Sequence, residues 1–374
     1  MTRLIFDLFQ DITDPREEIK IKHKLTDILS ILVCAVISGA ETYEDIELYG
    51  RSKENWLRQY LELENGIPSH DTFRRIMMLI NPDEFEALFL NWVQHHMRLS
   101  NEDSDHIAID GKTMRRSFDH TKGLAPIHIV NAYSSKNKLV LTQKAVNNKK
   151  GEKTVLPQLL QALELEDTLV SIDAGGCYTD IATQIHQQKG EYLLGLKGNQ
   201  KHLHNDVKSY FEHHVFTSHP SCCPSSDRFE KSHGRLVRRR VFVHEDMTIS
   251  SQLSLWPDPT KVLAIETISS KTNTPKVATD FRYYITNSKR SHKDLAEAIR
   301  NHWAIENSLH WVLDMTFNED YCRIRHRNEA MNMSLIRKFV LNLIRKDPKK
   351  GSIKGKRKKA SWSNDYLLDL LSRA

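Results

Sequence analysis

Two short apolar runs each end in an aspartate followed by glycine: His106-Ile-Ala-Ile-Asp110 before Gly111, and Thr168-Leu-Val-Ser-Ile-Asp173 before Gly175-Gly176. As neighbouring strands they would deliver both carboxylates to one edge of a sheet, where sites gather in open α/β folds. A third acid, Glu306, falls on a segment in which Leu295, Ile299, His302, Glu306, Leu309 and Leu313 keep the spacing of one helix face. A carboxylate on a mostly apolar face needs a partner, since burying it alone is costly. A cation shared with Asp110 and Asp173 would supply one. Three carboxylates suit Mg²⁺, or Mn²⁺, both of which prefer oxygen ligands. Two such ions about 4 Å apart can activate an attacking oxygen and stabilise a leaving one at a phosphodiester. Each acid alone reads as readily as a cap or turn former; the joint pattern is the specific signal.

Around these acids lie groups suited to phosphate. Lys112, Arg115 and Arg116 follow the first aspartate, and Lys197 and Asn199 follow the strand-like run Glu191 to Leu196. A solvated loop is the alternative for the first group. Arg235, Arg238, Arg239 and Arg240 form a basic stripe; in a strand, Arg238 and Arg240 share one face and Arg239 points away. Trp256 could stack on an unpaired base, but core packing is the better reading. His302, Glu306 and His310 are four apart, a spacing that would also suit a transition metal, although the two strand-end aspartates favour a harder ion. His213, His214, His219, Cys222 and Cys223 match no standard zinc spacing and read as a polar loop.

The elements that must position these residues follow from periodicity. Residues 1–100 read as helical, with an apolar run from Leu25 to Ala40, a segment from Tyr43 to Leu63, and a helix after Ser69 ending before Pro82. The Gly66-Ile67-Pro68 turn before a helix bearing Arg74 and Arg75 is compatible with helix-turn-helix DNA reading and equally with a plain bundle. From 106 onward the pattern predicts strands to Asp110, over Pro126–Tyr133 and Leu139–Val146, a helix over Thr154–Leu163, a strand to Asp173, a helix over Asp180–Gln188, a strand over Glu191–Leu196 and a helix over Gln200–Glu212. Such an order gives a mixed sheet with helices packed on it. Residues 213–284 read as a β-rich insertion, with strands at Leu236–His244, Leu253–Trp256, Lys261–Ser269 and Phe281–Ile285. Helix resumes at Ser291, which with Asp294 resembles a capping box, and runs to about Met315.

Bulk properties set outer bounds. The 374 residues are 39% hydrophobic and 27% charged, with a net charge of +6, ordinary for a globular protein large enough for more than one domain. Between Arg345 and Lys359 stand nine Lys or Arg against one acid, Asp347, so residues 346–374 read as a basic tail that contacts nucleic acid or simply solubilises. The longest apolar run, Ile28 to Ala40, is too short to cross a bilayer and fits a buried helix. Five cysteines without a C-x-x-C pair point to a reducing, cytoplasmic setting.

The segments Ile109-Asp110-Gly-Lys112-Thr-Met-Arg115-Arg116-Ser, Ile172-Asp173-Ala-Gly175-Gly176, Tyr192-Leu-Leu-Gly195-Leu-Lys197-Gly198-Asn199-Gln200, His233-Gly234-Arg235 and His302-Trp303-Ala-Ile-Glu306-Asn307-Ser-Leu-His310-Trp311-Val-Leu-Asp314 together resemble the H-repeat-associated DDE transposases of bacterial insertion sequences, over nearly the whole chain. The resemblance implies an α/β, RNase H-like catalytic core over 101–345, with the β-rich insertion placed before the last catalytic helix and an N-terminal helical domain. It implies Asp110, Asp173 and Glu306 as the catalytic triad, cleavage at the ends of a mobile element, and joining of the freed 3′-hydroxyls to target DNA. The partners expected are double-stranded DNA and a second copy of the chain on that DNA, with no membrane. Related enzymes with such an insertion place Tyr, Arg and Lys around the glutamate; here those positions hold Ile299, His302 and Leu313, and Arg300, Arg323 and Arg325 are the nearby cations. Two other readings stay open: an RNase H-like nuclease that cuts without joining, and a non-catalytic DNA-binding descendant.

Overall fold

The computed structural model describes residues 5–98, 105–118, 121, 123–146, 151–216, 224–232, 235–271 and 277–373. Four helices come first: α1 (Leu25–Ser38), α2 (Tyr43–Leu57), α3 (His70–Leu79) and α4 (Pro82–Arg98). Helix α1 is buried on nearly every side, as its almost uninterrupted apolar sequence requires, and ends where Gly39 adopts a left-handed φ of 113°. Helix α2 opens with a capping box in which Thr42 accepts from the Asp45 N–H and Asp45 accepts from the Thr42 N–H.

The sheet then begins with β1 (His106–Thr113), β2 (His128–Ser134) and β3 (Leu139–Val146). Next come α5 (Glu152–Gln161), β4 (Leu169–Ile172), α6 (Thr179–Gln187), β5 (Glu191–Leu196) and α7 (Lys201–Tyr210). The β-rich segment supplies β6 (Ser226–Ser232), β7 (Arg235–His244), β8 (Lys261–Lys271) and β9 (Val277–Thr286). Among the described residues all strands join one nine-stranded sheet in the order β3-β2-β1-β4-β5-β9-β8-β7-β6. Strand β1 runs antiparallel to β2 and parallel to β4, and β4 runs parallel to β5. This is the RNase H-like arrangement expected. The inserted strands do not form a module of their own: β9 pairs antiparallel with β5, so the insertion widens the same sheet.

Two strand readings are corrected. Leu253–Trp256 is not a strand. Ser251–Leu255 is a 3₁₀ turn that buries Leu253 and is followed by the equally buried Trp256. The three-residue spacing of these two apolar groups matches one side of a 3₁₀ turn, and Pro257 has no N–H for a ladder. Trp256 lies against Tyr192 in the core, as the packing reading expected. Conversely, Ser226–Ser232 does pair, as edge strand β6; its charges hid it, and charge is what protects an exposed edge.

The chain closes with α8 (His292–Ile305), a π-helical turn (Glu306–His310), α9 (Trp311–Phe317), α10 (Arg327–Lys346), α11 (Ile353–Trp362) and α12 (Asn364–Leu371). Ser291 caps α8 by accepting from the Asp294 N–H. Helix α10 is buried along most of its length and packs against α1, α3, α4 and β3, so one apolar core runs from the first helices into the sheet. No single helix among the described residues is long and apolar enough to cross a membrane.

The basic tail departs from its sequence reading. Instead of a solvated segment, α11 and α12 pack on α1, with Leu367, Leu370 and Leu371 fully buried. The Arg357 guanidinium donates to the carbonyls of Val36 and Thr316, and Lys356 Nζ donates to the Asp347 carbonyl at 2.6 Å. Cations at helix C-termini satisfy carbonyls that have no partner within the helix. The exposed remainder is Lys349, Lys350, Lys354, Lys358 and Lys359.

Candidate active site

The register of the parallel pair β1–β4 sets Ile109 opposite Ile172, so the next residues, Asp110 and Asp173, leave the sheet side by side. Asp110 is still within β1 and Asp173 caps the turn Ala174–Gly176, accepting from the Gly175 N–H at 2.8 Å. Asn199 donates to the carbonyls of Ala174 (2.8 Å) and Cys177 (3.1 Å), tying the loop after β5 to the loop after β4. Gly111 leaves no room for a side chain, and Gly175 is crowded. A methyl group at Gly111 would strike the His128 ring and the Glu152 carboxylate, and one at Gly175 would come within 2.9 Å of Glu152. His128 and Glu152 are themselves hydrogen-bonded at 2.5 Å.

Glu306 opens the π turn between α8 and α9. Such turns add a residue to a helix and recur at functional sites. The turn carries His310 round so that its Nδ1 lies 3.0 Å from Glu306 Oε2 and 3.6 Å from Asp110 Oδ2. One ligand atom from each of Asp110, Glu306 and His310 lies within 4.8 Å of the other two. Asp173 stands outside this tight group but lines the same cleft, and its charge reaches Asp110 and His302. Burial pushes the Asp110 carboxyl up to about 6; Asp173 adds to this and His310 opposes it. The hydrogen bond from His310 holds the Glu306 carboxyl below its usual range, against a smaller effect of burial. A carboxylate penalised by burial and by a second acid gains from a cation, and the His310 Nε2 is buried without a hydrogen bond. The donor set of two oxygens and an imidazole nitrogen fits a divalent metal ion.

The cleft measures about 890 Å³ and is walled by α8, the π turn and the inserted strands. Arg300 lies on it, 3.4 Å from Glu230, and Lys197 lies on it at the end of β5. The basic stripe divides between two strand faces as alternation expects. Arg238 and Arg240 pair with Asp227 and Glu266, and Arg239, which turns into the cleft, pairs there with Glu230 at 2.5 Å. The signal was in the sequence: Arg239 shares a strand face with Val237 and Val241, and Val241 is core. Arg235 is exposed at the start of β7, and His233 and Gly234 lie outside the described residues, as do His219, Cys222 and Cys223. Arg282 was missed; it lines the same cleft, with its guanidinium 3.8 Å from the Trp303 ring centre and its Nε 3.2 Å from Asp280.

Lys112 is corrected. It is neither in a solvated loop nor exposed to grip phosphate: it is a buried cation, 2.6 Å from Asp314, 3.2 Å from Glu319 and 3.1 Å from Asp320. Burial works against its charge, yet the three carboxylates outweigh it and hold the ammonium protonated. Arg115 stays exposed with its Nε 3.4 Å from Asp320, and Arg116 is exposed over the Tyr321 ring. Ile299 and Leu313 are buried in the core, so they carry no phosphate clamp; Arg323 and Arg325 are exposed. His302 Nδ1 meets Ser171 Oγ at 2.9 Å, and Ser171 meets His106 at 2.7 Å. Burial pushes His302 down to about 4, so it stays neutral.

An RNase H-like sheet with acids at the ends of adjacent strands and a third on a late helix defines a class of enzymes acting on nucleic acid. The model of the "Transposase DDE domain" matches residues 101–343, and that of the "DDE_Tnp_1-associated" domain matches residues 6–93. The chain is 40% identical to the "Putative transposase YncI" of Escherichia coli O157:H7, over 98% of this chain and 94% of that one. It is 37% identical to the "H repeat-associated putative transposase YhhI" of Escherichia coli strain K12, over 96% of each. A shorter K12 protein, "Inactive transposase YbfQ", matches 17% of this chain at 53% identity. The chain belongs to the DDE transposase family, among its H-repeat-associated members.

Proposed function

We propose that this chain cuts the ends of an insertion sequence and joins the freed 3′-hydroxyls to target DNA. The observation that carries the reading is the meeting of Asp110, Glu306 and His310 within 4.8 Å at a cleft that Asp173 also lines. Asp110, Asp173 and Glu306 would hold divalent cations, Mg²⁺ or Mn²⁺, with His310 as a further donor. When bound, such ions supply charge neutralisation at the phosphate and lower the pKa of an attacking hydroxyl. The side chains do the rest. Strands β1 and β4 fix two carboxylates at one edge, and the π turn swings Glu306 towards them. Arg239, Arg300 and Lys197 line the cleft with two more cations than Glu230, which both arginines approach, can offset, and these could meet phosphates; Arg115, Arg116 and Arg235 are exposed for backbone contact. Hydrolysis and strand transfer are both in-line displacements, so one site serves both. The setting proposed is the cytoplasm, with two copies of the chain on the DNA.

The test is nicking and joining of the DNA ends that flank its own gene, with Mg²⁺, by wild type and Glu306→Gln at matched folded concentration. Losing a metal ligand should remove several kcal/mol of transition-state stabilisation, about a thousandfold in rate, from both steps. End binding should survive. Near-normal turnover by the folded variant would remove Glu306 from the site. Nicking without joining of pre-cut ends would favour a nuclease, and binding without nicking by wild type a non-catalytic descendant.

A further inference from the structure

Lys112 stands two residues after Asp110 on β1, and alternation puts both side chains on the same face of the sheet. Its ammonium reaches Asp314, on the helix that continues from the π turn of Glu306. The two following acids it touches, Glu319 and Asp320, belong to the turn after α9. Glu319 is anchored in turn on α10, accepting from Ser334 Oγ at 2.8 Å with Arg337 3.9 Å away. One buried cation therefore joins the strand of Asp110, the helix of Glu306 and the central helix α10.

We infer that Lys112 is a positioning residue: through Asp314 it pins the Glu306-bearing helix to β1 and so sets the Asp110–Glu306 separation on which metal binding depends. This inference rests on the metal-site reading above. Mg²⁺ demands near-ideal octahedral geometry and tolerates little ligand drift, and partners that orient ligands are typically worth ten- to a hundredfold in metal affinity. The same contacts leave Asp314, Glu319 and Asp320 paired. Their charge is already met by Lys112, with Arg115 beside Asp320 and Arg337 beside Glu319.

The test measures Mn²⁺ affinity of the full chain, read from the electron paramagnetic resonance of free Mn²⁺, beside a melting curve and DNA-end affinity across a salt series. Asp314→Ala removes the tie while leaving Lys112 two acids, so the variant should fold. Lys112→Arg keeps the charge in a longer, planar head that a pocket built around an ammonium does not seat. In both, Mn²⁺ affinity should fall about tenfold, with DNA-end affinity and its salt slope unchanged. Unchanged Mn²⁺ affinity in folded Asp314→Ala overturns the inference. So does a Lys112→Arg protein that keeps full metal affinity. Glu306→Gln is the reference. If it binds Mn²⁺ like wild type, the metal-site reading itself fails; if it loses Mn²⁺ while Asp314→Ala does not, only the positioning role fails.

Discussion

His310 holds its Nδ1 3.0 Å from the carboxylate of Glu306, four residues earlier in the same π turn. A regular α-helix also stacks residues four apart, but the π turn additionally brings this imidazole to 3.6 Å from Asp110, on a different element. The first prediction concerns this pair. His310→Ala should weaken Mn²⁺ binding and slow DNA nicking by roughly ten- to a hundredfold, the range for residues that bind or orient a metal ligand. Titration with Mn²⁺ and single-turnover nicking check it. Equal metal affinity in variant and wild type would reduce His310 to a packing role.

Asp110 predicts a trade between stability and function. Its carboxyl is pushed from 3.8 to about 6 in the fold, chiefly by burial. The folded state therefore holds its proton more tightly than the unfolded chain, and stability falls as pH rises from about 4 to 6. At pH 7.5 without metal the ionised carboxylate is a net cost. A shift of about two units corresponds to at most about 3 kcal/mol, and residual solvent contact brings this to about 1–2 kcal/mol. Asp110→Asn should raise the melting temperature in EDTA at pH 7.5, lose that advantage near pH 4, and be inactive.

Gly111 should accept a side chain only at a cost in stability. A methyl there meets the His128 ring and the Glu152 carboxylate, which are bonded to each other under the strand of Asp110. Gly111→Ala should cost about 1–3 kcal/mol, the range for overpacking a filled site. Denaturant melts measure this. Adding Glu152→Ala should recover part of the loss, because one of the two obstacles is then gone.

The basic C-terminal segment predicts two separable effects. Lys354 and Lys358 are exposed, whereas Arg357 is buried and bonded to α1. Changing the two lysines to glutamine should flatten the logarithmic salt dependence of DNA binding by about 2, near one for each phosphate no longer neutralised, with an unchanged melt. Arg357→Ala should instead destabilise the fold by about 2 kcal/mol or more, since it strands buried carbonyls. A salt slope unmoved by the lysine changes would mean this helix does not touch DNA.

Local pattern was enough to locate the strand-end acids. An apolar run that stops at Asp110 or Asp173 reads as a buried strand reaching a sheet edge, and the chain order of strands and helices limits how they can pair. The family motifs, carried by contiguous residues, were equally legible. What pattern could not reach were the facts that depend on which element packs on which. Lys112 looks like a loop cation until α9 and the turn after it bring Asp314, Glu319 and Asp320 around it. His310 looks like one more residue on the face of Glu306 until the π turn and β1 set it beside Asp110. The basic run after Arg345 looks solvated because its charges are local, while the surface that buries it belongs to α1, some three hundred residues away. Hydrophobic period is written into neighbouring residues. The partner of a charge is decided by long-range packing, which no local window contains.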